Sequence, residues 1–271
     1  MNSHKLSIGE IQLIFFSDGG SPLSEEYLAN TFKPLPDEAL EAFRALPKTY
    51  SMSSTPIYAY TGGQHVLMDV GSGEGQLPEE GHLLAGMVTE DITPDEIDTV
   101  ILTHLHRDHF GGLRRADETA SFPNAQIYVA RAEWTYWLES GAAPVERVEL
   151  LKAFFALYEG RIHLYESGET LAPGITALAL PGHTPGHSGM LIESNGKRAL
   201  HIVDALHVVI QMAYPDLSPV YDVDPVLSAQ TRRMILSRAA SEHLLTFSYH
   251  LPFPGLGTIA RKGDAFTWEE V

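Results

Sequence analysis

The 271-residue chain contains no cysteine, which excludes disulfides, thiolate metal ligands and cysteine nucleophiles. Basic residues are scarce, since 18 Lys and Arg stand against 35 Asp and Glu and give a formal net charge of −17. A surface this acidic repels phosphate backbones and anionic lipids, so we expect neither a nucleic-acid nor a membrane partner. The same charge favours a neutral small-molecule substrate over an anionic one.

Long hydrophobic runs are also absent. The longest, such as Leu13-Ile14-Phe15-Phe16, are the length of a strand, and the N-terminus has no apolar run of signal-peptide length. This predicts a cytoplasmic location. With 44% hydrophobic and 20% charged residues, the composition is that of a globular protein. No linker or repeat divides the chain, so we predict one domain over residues 1–271.

Strands and helices alternate in both halves of the chain. Apolar alternation and turn residues predict strands at 6–16, 57–61, 65–70, 99–102, 126–129, 175–180, 190–193, 199–203 and 244–247. Periodicity and capping residues predict helices at 36–46, 130–139, 144–158 and 225–240, and a short helix after Thr93-Pro94. Because many strands come in hairpins interrupted by helices, we predict a layered α+β fold rather than a doubly wound parallel sheet.

The strongest chemical signal is His104-Leu105-His106-Arg107-Asp108-His109, directly after the strand at 99–102. On an extended backbone His104 and His106 point to the same side, which suits two nitrogens on one metal ion. Asp108 and His109 project differently, so the four side chains do not easily share one tetrahedral ion. Because 13 histidines and no cysteines are available, imidazole and carboxylate must be the ligands. The motif predicts two neighbouring metal ions.

Three more metal-competent residues each follow a predicted strand: His183 in Pro181-Gly182-His183-Thr184-Pro185, then Asp204, then His250. Loops at strand ends are where rigid scaffolds commonly place ligands, so we expect these residues to converge at one edge of a sheet. Taken singly, each has an ordinary alternative: a turn cap for Asp204, a core histidine for His250, and a backbone hydrogen bond for His183.

These residues, together with Asp69 in Leu67-Met68-Asp69-Val70-Gly71, resemble hydrolases of the metallo-β-lactamase superfamily in identity and order over nearly the whole chain. The resemblance implies an αβ/βα sandwich with a dinuclear metal cleft at one edge of the sheets. It implies two divalent ions, with zinc as the default and iron, manganese or cobalt as alternatives. The implied ligands are His104, His106 and His183 for one ion and Asp108, His109 and His250 for the other, with Asp204 bridging and Asp69 orienting a ligand histidine.

A finer resemblance is to the branch of methyl parathion hydrolases and N-acyl-homoserine lactonases, carried by residues 16–19, 204–208 and 250–257. That branch implies a homodimer. The lactonases place a tyrosine three residues after the bridging aspartate, whereas this chain has His207 there. His207 is therefore either a hydrogen-bond donor to substrate or a packed histidine.

The resulting hypothesis is that a metal-bridging hydroxide attacks a small neutral ester, lactone or phosphotriester. Asp108, Asp204 and His207 are the catalytic candidates, and either Asp108 or the surroundings of the hydroxide would return the proton to the leaving group. Sequence neighbours of the ligands are predicted to line the substrate cleft, namely Phe110, Leu251 and Phe253, with Trp134 and Trp137 as further candidates.

Other functions on the same fold are disfavoured. A glyoxalase II-like thioester hydrolase needs a basic C-terminal patch, whereas this chain ends in Trp268-Glu269-Glu270-Val271. The negative charge opposes a nuclease, and diiron oxygen reductases carry Glu at the position of His106. A non-catalytic ligand-binding member of the fold is the remaining alternative, and the intact ligand set weighs against it.

Overall fold

The computed structural model describes residues 3–47, 49–75 and 79–271. The strands in this part of the chain are β1 (Ser3–Ile8), β2 (Ile11–Phe16), β3 (Gly19–Pro22), β4 (Ser51–Ser54), β5 (Ile57–Thr61), β6 (Gln64–Met68), β7 (Thr99–Leu102), β8 (Gln126–Ala130), β9 (Ile162–Tyr165), β10 (Thr170–Ala172), β11 (Ile175–Ala179), β12 (Ser188–Ser194), β13 (Lys197–Val203), β14 (Leu245–Ser248), β15 (Leu256–Lys262) and β16 (Ala265–Glu270). The α-helices are α1 (Glu25–Thr31), α2 (Asp37–Arg44), α3 (Leu83–Thr89), α4 (Arg107–Phe110), α5 (Arg131–Trp134), α6 (Val145–Ala156), α7 (Ile210–Ala213) and α8 (Pro225–Ser241).

The strands form two seven-stranded sheets and a small β3–β4 ladder. The first sheet has the order β1-β2-β5-β6-β7-β8-β9, with antiparallel pairs up to β6 and parallel pairs from β6 to β9. The second runs β10-β11-β12-β13-β14-β15-β16, with β13 and β14 parallel and the other neighbours antiparallel. Mixed sheets built largely from hairpins confirm the predicted layered α+β class.

The two sheets face each other across one apolar core. Phe15 and Met68 of the first sheet pack in the same buried cluster as Met190 and Phe247 of the second. Helices α3 and α6 cover the outer face of the first sheet, and α8 covers the outer face of the second. Because each sheet buries both faces, the result is a four-layer αβ/βα sandwich.

Most predicted elements are confirmed, and the differences have local causes. The helices predicted at 36–46, 144–158 and 225–240 are α2, α6 and α8, and the one at 130–139 is α5 continued by a π-helical turn to Glu139. The single strand predicted at 6–16 is wrong, because Gly9 adopts φ +60° and splits it into the β1–β2 hairpin. The sequence does not predict helix α3, because that helix has no polar face. It does not predict the β15–β16 hairpin either.

Five strand ends converge at one edge of the sandwich: β6 leads to Asp69, β7 to His104, β11 to the loop of His183, β13 to Asp204 and β14 to His250. Two of these exits have left-handed backbone, at Asp69 (φ +59°) and at Val203 (φ +49°). A β-branched residue at positive φ is strained, and the β13–β14 register also shifts at Val203. This bend turns Asp204 out of its strand. No helix in the described residues combines the length and apolarity needed to cross a bilayer.

Candidate dinuclear metal centre

Three histidines from two loops form what we call the imidazole cluster: His104, His106 and His183. His183 Nε2 lies 2.9 Å from His106 Nδ1 and 3.2 Å from His104 Nε2. All three rings are buried or nearly so. Three imidazole nitrogens converging on one point match the ligand geometry of a divalent metal.

A second group, the mixed cluster, consists of Asp108, His109 and His250. Asp108 Oδ2 lies 3.6 Å from His109 Nε2 and 3.5 Å from His250 Nε2. Asp108 and His109 are consecutive on the short helix α4, with Asp108 partly exposed and His109 buried, and the His109 ring lies 4.0 Å from that of His104 between centroids. Asp108 is 33% exposed, and the two histidines are buried.

Asp204 lies between the two clusters and contacts both. Its Oδ2 is 3.1 Å from His183 Nε2 and 3.2 Å from His250 Nε2. Its Oδ1 is 3.3 Å from His109 Nε2. One carboxylate therefore contacts both clusters: Oδ2 lies close to a member of each, and Oδ1 lies close to the mixed cluster.

The residues fit two divalent ions. His109 Nε2 and Asp204 Oδ1 are buried and lack a hydrogen-bond partner among the described residues, which is costly unless a ligand completes them. The donor atoms of each cluster lie within 4.8 Å of one another. Imidazole nitrogens with carboxylate oxygens are donors that suit zinc and similar divalent metals.

Hydrogen bonds from the far side of the rings fix the ligand histidines. His109 Nδ1–H donates to Asp69 Oδ2 and His183 Nδ1–H donates to Asp222 Oδ1, both at 2.8 Å. His250 Nδ1–H donates to the Ser53 carbonyl at 2.8 Å. Such partners set the tautomer and leave the other nitrogen as the free donor atom.

Burial and neighbouring charges shift the pKa values of the candidate ligands in different directions. Burial opposes ionisation of Asp204, but His250, His109 and His104 outweigh it and keep the pKa of Asp204 well below its usual range. Burial holds the pKa of His104 and that of His106 well below the usual value, so both rings are neutral. Burial also opposes protonation of His183, His250 and His109, but Asp204 and the other nearby carboxylates outweigh it. They raise the pKa of His183 to about 9, raise the pKa of His250, and raise the pKa of His109 well above its usual value, so metal binding must displace protons from these three rings.

The clusters lie on the floor of a cleft of about 570 Å³. Its lining combines Tyr27, Met52, His106, Arg107, Asp108, Trp137, Pro144, Arg147, Asp204, His207, Tyr221 and His250. One wall comes from the α5–α6 side with Trp137 and Arg147, and the other presents Tyr27, Met52 and Tyr221. The cleft therefore has one partly cationic wall and one aromatic wall.

The predicted apolar lining differs from the observed one. Phe110 and Leu251 are fully buried in two different core clusters, and Phe253 packs against the core between the sheets. These three side chains follow ligands in sequence but project toward the core, because neighbouring positions face different directions. Of the two tryptophans, Trp137 lines the cleft, whereas Trp134 packs on Phe155.

His207 lies beside Asp204 and stacks on His250 with ring centroids 5.2 Å apart. Its Nε2 is 3.2 Å from Asp204 Oδ2, and neither ring nitrogen has a hydrogen-bond partner in the described residues. Burial lowers the pKa of His207 to about 4, so the ring is neutral at physiological pH. A neutral imidazole with an unsatisfied N–H at the cleft floor can donate to a bound oxygen.

Several residues of the site were missed from the sequence. Asp222, Tyr27 and Tyr221 lie in loops or a short helix with no motif, and no spacing signals them. His187 had a signal, since it belongs to the same Gly-His-Thr-Pro-Gly-His stretch as His183. Its Nδ1–H donates to the Leu180 carbonyl at 2.8 Å, and its Nε2 accepts from the Asp204 backbone N–H at 3.2 Å. It thus holds the backbone of the bridging residue.

The fold and the site define a class. A model of the metallo-beta-lactamase superfamily matches residues 52–250. The chain belongs to the metallo-beta-lactamase superfamily, and its sandwich is the fold of that superfamily.

Individual relatives narrow the comparison. N-acyl homoserine lactonase AiiA of Bacillus thuringiensis subsp. kurstaki is 27% identical over 182 residues, which is 63% of this chain and 66% of the relative. The chain thus aligns with slightly less than two thirds of that curated relative. The solved structure of AbOPH, a hydrolase in the beta lactamase superfamily, has a TM-score of 0.89 and 28% identity and covers 100% of this chain and 97% of its own. AidC, a dizinc quorum-quenching lactonase in complex with the product N-hexanoyl-L-homoserine, has a TM-score of 0.89 and 25% identity at the same coverage.

Proposed function

We propose that this protein is a dinuclear metallohydrolase that opens small neutral lactones or cleaves simple esters. The observation that carries the proposal is the pair of donor clusters joined by Asp204 on the floor of a substrate-sized cleft. Zinc is the proposed metal, in line with the ligand types and with the dizinc lactonase among the structural relatives. The imidazole cluster holds one ion, the mixed cluster holds the other, and Asp69 orients His109.

Divalent ions held by the imidazole cluster and the mixed cluster would supply a hydroxide nucleophile near neutral pH and would polarise the carbonyl oxygen of the substrate. The protein residues then manage protons and orientation. Asp108 is the cleft-exposed carboxylate of the site, so the oxygen that does not face His109 and His250 can take the proton released by the nucleophile and return it to the leaving alkoxide. Asp204 stays ionised and fixes the separation of the clusters.

The cleft walls orient the substrate. His207 donates an N–H toward the reacting oxygen, in the position where lactonases of this branch carry a tyrosine. The rings of Tyr27 and Tyr221 give an apolar surface for an acyl chain, and their hydroxyl oxygens lie 3.4 Å apart at the cleft wall. On the opposite wall Trp137 gives a second aromatic surface.

A second candidate activity is phosphotriester hydrolysis. It is favoured by His207, because replacing the lactonase tyrosine with histidine is a departure shared with phosphotriesterase-like members of the branch. The same two ions would polarise a phosphoryl oxygen in place of a carbonyl.

The experiment is a kcat/KM panel on zinc-loaded protein, with chelator-treated protein as the control. N-acyl-homoserine lactones and simple lactones are compared with aryl esters, phosphotriesters and a glutathione thioester. We expect lactones to be preferred by about a hundredfold, which corresponds to about 2.7 kcal/mol of transition-state discrimination. A phosphotriester preference would favour the second candidate, and no turnover of any substrate would contradict the proposal.

Other activities have less support. A glyoxalase II-like thioesterase activity is disfavoured because β16 carries Glu269 and Glu270 and no basic side chain. A non-catalytic binding role does not account for seven converging donors. The single-domain organisation over 1–271, a homodimer and a cytoplasmic location remain predictions.

A further inference from the structure

A buried carboxylate outside the ligand set lies between the two loops of the imidazole cluster. Glu133, on helix α5, has no solvent exposure and no salt-bridge partner among the described residues. Burial raises its pKa, while four hydrogen bonds oppose that shift. A carboxylate in such a place is strongly destabilising unless its oxygens are well satisfied, so its hydrogen-bond partners indicate its role.

The four donors to Glu133 come from three separate parts of the site. Oε1 accepts from the Leu105 backbone N–H at 2.9 Å and from Trp137 Nε1–H at 2.6 Å. Oε2 accepts from the Thr184 hydroxyl at 2.7 Å and from the Gly186 backbone N–H at 2.9 Å. Leu105 lies between His104 and His106, and Thr184 directly follows His183.

The loop that carries His183 and Gly186 packs closely against helix α5, which carries Glu133. A Cβ at Gly186 would lie 2.1 Å from the Glu133 backbone nitrogen, so only glycine fits there. The loop thus approaches α5 closely enough for one carboxylate to reach both ligand-bearing loops. Trp137, one turn further along, ties the same carboxylate to the cleft wall.

We propose that Glu133 is the positioning residue of the imidazole cluster, setting the separation between His183 and the His104–His106 pair to the value that one divalent ion requires. The proposal rests on the proposed metal centre and assigns a further residue to it. Because Trp137, which lines the cleft, donates to the same carboxylate, Glu133 also links the imidazole cluster to the cleft wall.

The chemistry of the amide gives a sharp test. In Glu133→Gln one oxygen becomes an NH₂ group, which cannot accept from the two donors that faced that oxygen. The Thr184 hydroxyl can rotate to accept instead, whereas the backbone N–H of Gly186 or of Leu105 cannot. The variant therefore keeps shape and volume but disconnects one ligand loop.

The matched control is Asp18→Asn. Asp18 is also fully buried and accepts three backbone N–H groups, from Ser72, Gly81 and Leu83, and none of these is a metal-cluster residue. The Asp18→Asn variant therefore measures how the loss of an equally buried carboxylate affects stability when no metal-cluster residue is involved. Thr184→Val, which removes a single donor, is the milder variant if Glu133→Gln does not fold.

The measurement is stepwise zinc release to a competing chelator, without substrate, together with the melting temperature. We expect Glu133→Gln to lower the affinity for one of the two zinc ions by about 10- to 100-fold and to leave the affinity for the other near the wild-type value. Thr184→Val should weaken the same ion less, and Asp18→Asn should lower the melting temperature while keeping both zinc affinities. Wild-type zinc affinities in Glu133→Gln and Thr184→Val, or equal zinc loss in Asp18→Asn, would overturn the proposal.

This readout separates the assignment from the proposed function. If the wild type binds two zinc ions but hydrolyses nothing in the panel, the proposed function fails while zinc release still decides the role of Glu133. If the panel finds turnover and Glu133→Gln keeps both ions at wild-type affinity, only the role of Glu133 fails.

Discussion

The two metal clusters share Asp204 but differ in how the protein holds them. The imidazole cluster is tied by carboxylates, since Asp222 accepts from His183 and Glu133 joins its two loops. In the mixed cluster Asp69 accepts from His109, the Ser53 carbonyl accepts from His250, and Asp108 is 33% exposed to the cleft. The imidazole cluster thus reaches the cleft only through His106, and the mixed cluster presents a carboxylate to it.

If the proposed function holds, this difference gives the two clusters separate tasks. A site with fully buried, well-anchored ligands keeps its ion in place during turnover. A site with an exposed carboxylate can exchange protons with substrate and solvent. Two sets of substitutions test whether the clusters have separate tasks. The first replaces Asp204, which contacts both clusters, and the second replaces the anchors Asp222 and Asp69.

The largest effect is expected from Asp204→Asn, because the bridging carboxylate serves both clusters. The neutral amide removes the charge that compensates two dications, so both ions should be lost. We expect kcat/KM to fall by about a thousandfold or more, beyond the 10- to 100-fold typical of residues that only hydrogen-bond to ligands. The measurements are the kcat/KM for the favoured substrate and zinc content by elemental analysis.

The control for that variant is Asp216→Asn, which removes an exposed carboxylate paired with Arg233 at 2.7 Å. Its activity and zinc content should match the wild type. An unchanged far-UV circular dichroism spectrum for Asp204→Asn would show that the fold is retained. Wild-type turnover in Asp204→Asn would contradict the shared-ligand arrangement.

An intermediate effect is expected from Asp222→Asn and Asp69→Asn, a matched pair that removes one anchor from each cluster. Each variant should lower the affinity for one zinc ion by about 10- to 100-fold, because the ligand histidine loses its charged partner. Since the variants act on different ions, the double variant should lose both with effects that add. If the double variant loses no more zinc than either single one, both anchors serve the same ion and the division between clusters is wrong.

The convergence of the candidate ligands could be predicted because these residues follow strands. His104, His183, Asp204 and His250 each come directly after or shortly after a β-strand, and strand ends at one edge of a sandwich are brought together by the sheets themselves. Sequence therefore indicates convergence without knowledge of any distance. The layered α+β class followed for the same reason, because hairpins and helices have local signals.

Apart from Asp69, which follows β6, and Trp137, the anchors and the cleft walls had no such signal. Glu133 meets Leu105 and Gly186 across 28 and 53 positions of the chain, so its role exists only once the sandwich has formed. The wall prediction was wrong at Phe110 for a geometric reason. His109 and Phe110 are consecutive on helix α4, where successive side chains point about 100° apart, and a ligand facing the metals sends its neighbour into the core.

The smallest effect is expected from His201, which lies in the sheet behind the clusters and contributes to the pH dependence of stability. His201 lies on β13, the strand that leads to Asp204, and it is fully buried with Nε2 unpartnered in the described residues. Burial lowers the pKa of His201 to about 4. The unfolded chain, with an ordinary histidine pKa near 6.5, therefore binds a proton that the folded chain refuses, so this contribution to stability is present above pH 6.5 and lost as the pH falls toward 4.

At pH 6 the loss attributable to His201 should be about 1 kcal/mol relative to pH 8, or a few degrees in melting temperature for a chain of this size. His201→Leu removes that titration while filling the same apolar space. In metal-free protein, where the clusters titrate alike in both chains, the drop in melting temperature from pH 8 to pH 6 should be smaller for His201→Leu than for the wild type. Equal drops would mean that the acid sensitivity belongs to the clusters alone and that the strand delivering the bridging aspartate is insensitive to it.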